Sequence, residues 1–71
     1  MAKNSLYTNT IKLREARREK NITVAEISRV LGFNSLVSYY NIENGITEPK
    51  ISQMITISRL LDKPVAYFFN L

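Results

Sequence analysis

Signals that start and stop helices follow one another closely in the middle of this chain. Thr23 and Glu26 stand at the spacing of a capping box, in which each side chain accepts a hydrogen bond from the other residue's backbone amide. Ile27 and Leu31 supply apolar positions, and Gly32 is suited to the left-handed backbone that ends a helix. The helix predicted between these signals is therefore short and ends at about Leu31.

A second short helix is predicted directly after this glycine. Asn34 or Ser35 can cap its start, and Asn44 and Gly45 can close it after Glu43. Two capped short helices joined by a tight glycine turn are the pattern of a helix-turn-helix motif.

The rest of the chain predicts three more short helices and no strand. Residues 9–20 indicate a charged helix with a thin apolar stripe, and Pro49 fits the first turn of a fourth helix. The apolar spacing of that fourth helix predicts a core-facing set of Ile51, Met54, Ile57, Ser58 and Leu61. A last helix is expected after Pro64, with Val65 and Phe68 inward. The expected fold is all-α, a compact bundle of about five short helices.

Residues 1–71 are expected to form a single domain, because a chain of this length is too short for two hydrophobic cores. Residues 1–8 precede the first helix. They are expected to be either a flexible tail or an extra turn in which Leu6 and Tyr7 pack on the domain.

The composition excludes several classes of function. The chain contains no cysteine and no histidine, which removes disulfides, the usual zinc sites, thiol nucleophiles and imidazole acid–base chemistry. We therefore expect no enzyme activity, no metal and no cofactor. Neither a signal peptide nor a membrane-spanning run is evident, so a cytoplasmic protein is expected. A net charge of +4 favours an anionic partner.

The order of these features resembles the phage repressor and Cro family, also called XRE-like regulators. The frame that carries the resemblance is L-x-x-A-R-x-x-x-x-I-T-x-A-E-I-S-x-x-L-G, then I-E-N-G, x-x-E-P and I-x-x-M-x-x-I-S-x-x-L. It covers roughly residues 11–69. The resemblance implies a lambda-repressor-like DNA-binding domain whose third helix lies in the major groove of double-stranded DNA.

The resemblance also assigns structural roles to residues of the first three helices. Arg17 and Glu43 match an Arg–Glu pair that ties the first helix to the end of the third, the alternative being two solvated surface charges. Ser28 matches a small residue, usually Ala, that lets the second and third helices cross closely. Its hydroxyl is expected to bond to a carbonyl one turn earlier.

The third helix should present different residues to the core and to DNA. Phe33 in the turn, Tyr39 and Ile42 occupy the inward positions. The residues left to face the bases are Ser35, Leu36, Val37, Tyr40 and Asn41.

Several residues depart from the family's pattern. The interval from Gly32 to Glu43 is one residue longer than the commonest spacing, and Asn34 is the extra residue expected. Val24 stands where the family usually has Gln, and Leu36 and Val37 stand where it has Gln or Arg. These two can pack on the C5-methyl group of thymine, while Asn41 can pair with adenine, which predicts a site rich in A·T pairs. The alternative is that the longer turn buries Leu36 and Val37.

Affinity for DNA is expected to come from phosphate contacts, which are salt-dependent. The resemblance and the polar character of the side chains give the candidates Thr23, Ser38, Asn44, Thr47 and Lys50.

Family members usually bind as dimers, with two recognition helices about one DNA turn apart. Four apolar residues near the end of the chain exceed the predicted core stripe and could form an exposed dimer patch: Leu60, Tyr67, Phe69 and Leu71.

Three functions remain open at this point. The first is a Cro-like repressor that binds a palindromic operator as a homodimer. The second is the DNA-binding part of a longer repressor or of an antitoxin. The third is an anti-repressor that uses Leu36, Val37 and Tyr40 to bind a protein partner.

Overall fold

The computed structural model describes residues 7–70, and these residues form four α-helices and one 3-10 helix without a β-strand. The elements, in chain order, are α1 (Thr10–Glu19), α2 (Val24–Val30), α3 (Leu36–Glu43), α4 (Ile51–Leu61) and the 3-10 helix (Val65–Phe68). The all-α expectation is confirmed for this part of the chain. The count of about five helices is high by one, because the last predicted helix is a single 3-10 turn. No helix within residues 7–70 has the length and apolar character needed to cross a bilayer.

The first helix is bounded by two asparagines. The Asn9 side chain accepts from the backbone N–H of Lys12 at 3.0 Å, which caps α1 at its start. Beyond its end, Asn21 takes a left-handed conformation with φ of 58°, which a residue with a short polar side chain tolerates well. The predicted end of the helix after residue 20 therefore coincides with this left-handed residue.

The capping box and the glycine stop that bound α2 are confirmed. The Thr23 hydroxyl accepts from the Glu26 amide at 3.0 Å, and the Glu26 carboxylate accepts from the Thr23 amide at 2.8 Å. Gly32 has φ of 79°, in the region where a side chain would strain the backbone. The turn that follows α2 therefore depends on this glycine.

Ser35 rather than Asn34 caps α3. Its hydroxyl accepts from the backbone N–H of Val37 at 3.1 Å, and Asn34 lies in the turn ahead of it. Gly45, with φ of 78°, follows the C-cap residue Asn44 and closes α3 as expected. The longer turn is thus accommodated before the cap, without changing which side of α3 faces inward.

The fourth helix begins later than predicted. Its N-cap is Lys50, whose backbone N–H donates to the Gln53 side chain at 2.8 Å, so Pro49 lies outside the helix. Ile51 is 69% exposed at the first position of α4, which contradicts its predicted place in the core. The other predicted residues of this stripe, Met54, Ile57, Ser58 and Leu61, are buried.

The core lies where α1, α2, α3, α4 and the 3-10 helix converge. Its fully buried side chains are Leu13, Ile27, Tyr39, Ile57, Leu61 and Phe68, with Ala16, Val24, Ile42 and Met54 nearly as enclosed. Burial of apolar area at about 25 cal/mol per Å² is the main stabilising contribution in a domain of this kind. Phe33 is half-buried and packs against this core, consistent with its expected inward position.

The two ends of the described chain pair with each other. Thr8 forms an isolated antiparallel bridge with Phe69, the Asn9 N–H donates to the Phe68 carbonyl at 2.7 Å, and the Asn70 N–H donates to the Tyr7 carbonyl at 2.8 Å. Thr8 is buried. Thr8 therefore belongs to the fold rather than to a tail, while residues 1–6 of the expected tail, including Leu6, lie outside the described residues.

Candidate DNA-binding surface

Neighbouring residues of α3 are divided between the core and the outside. Tyr39 and Ile42 are buried, whereas Leu36, Val37 and Tyr40 are 45%, 61% and 44% exposed. The alternative in which the longer turn buries Leu36 and Val37 is therefore wrong. Adjacent tyrosines have different environments because successive residues of a helix point about 100° apart.

The polar residues predicted to face bases lie at the start and near the end of α3. Ser35 is exposed, but its hydroxyl is already an acceptor for the Val37 amide. Asn41 is half-buried, and its backbone carbonyl accepts from the N–H groups of Ile46 and Thr47 at 2.8 and 3.1 Å. These two bonds hold the segment after α3 beside the helix.

This segment forms one side of a cavity of about 340 Å³ next to α3. Eight residues line it: Phe33, Ser38, Asn41, Ile42, Thr47, Glu48, Lys50 and Gln53. This cavity therefore brings together four predicted contact residues. Ser38, Thr47 and Lys50 are the predicted phosphate contacts, and Asn41 is the predicted base contact.

Gln53 in this cavity was missed by sequence reasoning. Its side-chain oxygen is used by the Lys50 amide, which fixes the amide group at the start of α4. Its third position in that helix, where a Gln can bond back to the cap residue, was the signal available.

The other two predicted phosphate contacts lie elsewhere. Thr23 is exposed at the start of α2, with its hydroxyl in the capping box. Asn44 follows α3, and its side-chain oxygen accepts from Arg14 at 3.2 Å. The structure thus gives no common site for all five residues, but it leaves each of them exposed.

The C-terminal end of α3 is fixed to α1 by a bidentate ion pair. Arg17 donates from Nε to Glu43 Oε1 at 2.8 Å and from a terminal nitrogen to Oε2 at 3.0 Å. The other terminal nitrogen donates to the Ile22 carbonyl at 2.8 Å. Both side chains are buried, so the alternative of two solvated charges does not hold. Such forked pairs fix orientation as well as distance.

Two further residues extend this pair. The Tyr39 hydroxyl donates to Glu43 Oε1 at 2.8 Å, and Arg14 Nε lies 3.5 Å from Oε2. The family frame contains the Arg–Glu pair alone, and only the burial of a tyrosine four residues before Glu43 hinted at a hydroxyl partner.

The pKa values of the three buried groups follow from these contacts. Burial acts to raise the pKa of Glu43, but hydrogen bonds from Arg17 and Tyr39 outweigh it and hold that pKa below its ordinary value. The hydrogen bond to Glu43 raises the pKa of Arg17. Burial, followed by the nearby carboxylate, raises the pKa of Tyr39 well above its ordinary range. The pair is therefore charged at neutral pH and Tyr39 remains a donor.

The predicted dimer patch is not exposed as a unit. Leu60, Tyr67 and Phe69 are each half-buried and pack against the core, and Leu71 lies outside the described residues. The Tyr67 ring is also contacted by two ammonium groups, from Lys12 at 4.7 Å and Lys63 at 5.0 Å. The surplus of apolar residues near the chain end is thus used largely within the fold.

The outward side of α3 contains no charged side chain, because its single ionisable acid, Glu43, is buried. Lys50 at the start of α4 supplies a positive charge near this surface, and Glu48 in the same cavity supplies a carboxylate that accepts hydrogen bonds from Tyr7 and Thr8. A partner would therefore contact apolar and hydroxyl groups in the middle of this surface and the Lys50 cation at its edge.

Comparison with known proteins adds one match. The helix-turn-helix family model matches residues 13–68, from α1 to the 3-10 helix. A search of curated proteins finds no match.

Proposed function

The chain belongs to the XRE- and Cro-like helix-turn-helix family, and from that membership we propose that it is a transcriptional repressor that binds a palindromic DNA operator as a dimer. The observation that carries the proposal is the division of α3. Its inner side is fixed by Tyr39, Ile42 and the Arg17–Glu43 pair, while Leu36, Val37 and Tyr40 remain exposed.

The exposed side of α3 suits the major groove, which admits an α-helix. Ser35, Leu36 and Val37 occupy the first turn, the part of a recognition helix that contacts base edges. Tyr40 and Asn41 follow one turn later. Because the buried ion pair holds the helix in one orientation, binding to bases does not first have to order the helix backbone.

Phosphate contacts would flank this helix. The cavity beside α3 brings Ser38, Thr47 and Lys50 together, and Thr23 lies exposed at the start of α2. Each phosphate that a cation neutralises contributes about 0.9 to the slope of log K against log salt. A net charge of +4 supports the same kind of association.

The size of the domain supports the proposed dimer. The domain measures 26 Å in its longest direction, which covers about eight base pairs at ~3.4 Å each. Two copies on half-sites about 34 Å apart would double the sequence that is recognised. The C-terminal segment, through the remaining exposed parts of Leu60, Tyr67 and Phe69, is the proposed place of contact, together with Leu71.

The test is fluorescence anisotropy with duplex DNA from immediately upstream of the protein's own gene, against a scrambled duplex, at low and moderate salt. We expect tighter, salt-dependent binding to the upstream duplex. Asn41→Ala should weaken this preference by about 1–3 kcal/mol, whereas Ile11→Ala, on the exposed side of α1, should leave it unchanged. Equal weak binding to both duplexes would contradict a sequence-specific repressor.

One observation favours a second candidate function. Three large apolar side chains are exposed on α3, a surface that a protein partner could also cover, as in an anti-repressor or an antitoxin. A complex with another regulator that persists at high salt, together with absent duplex binding, would support this function over the first.

A further inference from the structure

Two exposed side chains in the first turn of α3 have no hydrogen-bonding atoms. Leu36 and Val37 are among its most exposed residues, and both end in methyl groups. Neither can donate to or accept from a base, so neither can recognise a base pair by its pattern of donors and acceptors. What they can recognise is apolar surface in the groove.

The apolar group that the major groove offers is the C5-methyl of thymine. A cytosine methylated at C5 carries the same group on the same ring carbon. The two bases differ at C4, where thymine has an acceptor oxygen and cytosine a donor amino group. A leucine or valine that contacts only the methyl group does not sense this difference.

Resting on the proposed function, we propose that Leu36 and Val37 recognise the pyrimidine C5-methyl group itself, so that 5-methylcytosine can replace thymine at the steps they contact. Methylation of cytosine at those steps then strengthens binding. The specificity of the first turn is therefore for a methyl group rather than for one base pair.

The polar residues next to Leu36 and Val37 confine this methyl recognition to a few base pairs. The Ser35 hydroxyl is engaged in the cap of α3, while Ser38 and Asn41 lie toward the cavity beside α4. Tyr40, one turn along, retains its hydroxyl for a base or phosphate. Donor and acceptor recognition thus belongs mainly to Tyr40 and Asn41 in the second turn, and methyl recognition to Leu36 and Val37 in the first.

The experiment begins with duplexes of about 30 base pairs, roughly three helical turns, selected by the 71-residue protein from a random-sequence pool. The tightest selected duplex is then made with each thymine replaced singly by deoxyuridine, which removes only the methyl group. At the sensitive positions, T·A is further replaced by C·G and by 5-methylcytosine·G. Binding is measured by anisotropy for the wild type, for Leu36→Ala with Val37→Ala, and for Ile11→Ala.

We expect deoxyuridine to weaken binding about fourfold at each contacted thymine, the factor that corresponds to ~0.8 kcal/mol for one buried CH₂ group. Methylating the cytosine of C·G should restore a similar factor. The double variant should lose both effects, and Ile11→Ala should keep them. Circular dichroism and thermal unfolding of the double variant verify that the domain remains folded.

Two results would overturn the inference while leaving the proposed function intact. One is tight, sequence-specific binding that is indifferent to deoxyuridine. The other is a deoxyuridine effect that persists in the double variant, since the methyl group would then act through the shape of the DNA. Failure to select any duplex would overturn the inference and the proposed function together.

Discussion

The hydroxyl of Tyr39 donates a 2.8 Å hydrogen bond to Oε1 of Glu43, one turn further along α3. The same oxygen accepts from Nε of Arg17 at 2.8 Å. A residue of α1 and a residue of α3 therefore share one buried carboxylate. This sharing fixes the rotation of α3 about its own axis, and with it the direction in which Leu36, Val37 and Tyr40 face.

Removing the cation from this arrangement should be costly. We expect Arg17→Ala to lower the free energy of unfolding by about 3–5 kcal/mol, because Glu43 would remain buried without its partner. Urea unfolding followed by circular dichroism measures the change. Arg18→Ala, at the next position on the exposed side of α1, is the matched control and should change stability by less than about 0.5 kcal/mol. Similar losses in the two variants would contradict a structural role for Arg17.

Acid should destabilise the protein through the same carboxyl group. The pKa of Glu43 is lowered in the folded state, so its contribution to stability is present above the ordinary value of about 4.3. That contribution is lost as the pH falls through the lower, folded-state pKa. We expect the urea midpoint of the wild type to fall more steeply between about pH 5 and pH 2.5 than that of Glu43→Gln. Parallel pH profiles would show that another group dominates acid unfolding.

The two adjacent tyrosines should respond differently to loss of their hydroxyl groups. Tyr39→Phe removes a donor from a buried carboxylate and should cost about 1–3 kcal/mol of stability. It should also begin to lose stability at a higher pH than the wild type, since that hydrogen bond helps to lower the pKa of Glu43. Tyr40→Phe, at an exposed position, should leave thermal unfolding nearly unchanged and alter only DNA affinity. The reverse order of stabilities would mean that the sides of α3 are misassigned.

Ser28 provides a case in which a substitution should stabilise the protein. Its hydroxyl is buried without a hydrogen-bond partner among residues 7–70, contrary to the expected bond to a carbonyl one turn earlier. We expect Ser28→Ala to raise the free energy of unfolding by about 1 kcal/mol, since it removes an unsatisfied group and improves helix propensity.

Ser58 is the matched control for this substitution. It is also buried in a helix, but its hydroxyl donates to the Ile55 carbonyl at 2.9 Å. Ser58→Ala should therefore give no gain, or a loss of up to about 1 kcal/mol. Equal effects of the two substitutions in thermal unfolding would show that helix propensity alone accounts for them.

Features decided by neighbours in sequence could be predicted. The capping box of Thr23 and Glu26 and the left-handed Gly32 depend on a few adjacent residues, and both lie where the sequence placed them. The opposite environments of Tyr39 and Tyr40 followed from helical spacing once the family resemblance had placed Ile42 and Glu43 at the end of the third helix. These are local rules, and little in the tertiary structure competes with them.

Apart from the Arg17–Glu43 pair, which the family resemblance supplied, the features decided by contacts between distant segments could not be predicted. Ile51 fits the apolar spacing of α4, but the helix begins at this residue and its side chain lies beyond the edge of the core. Tyr67 and Phe69 look surplus to a helical stripe, whereas the 3-10 helix turns them back onto the core and toward α1. Periodicity assigns residues to faces only within an element that is already known to be regular.

The bridge between Thr8 and Phe69 has a consequence for engineering. Because residues 8 and 69 are neighbours in space, the domain can be inserted into a surface loop of a host protein without pushing the two ends of that loop apart. The same proximity allows the ends to be joined and the chain to be opened elsewhere. If the chain is opened in the segment between α3 and α4, the permuted protein would test whether an unbroken backbone after α3 is needed to hold that helix in place.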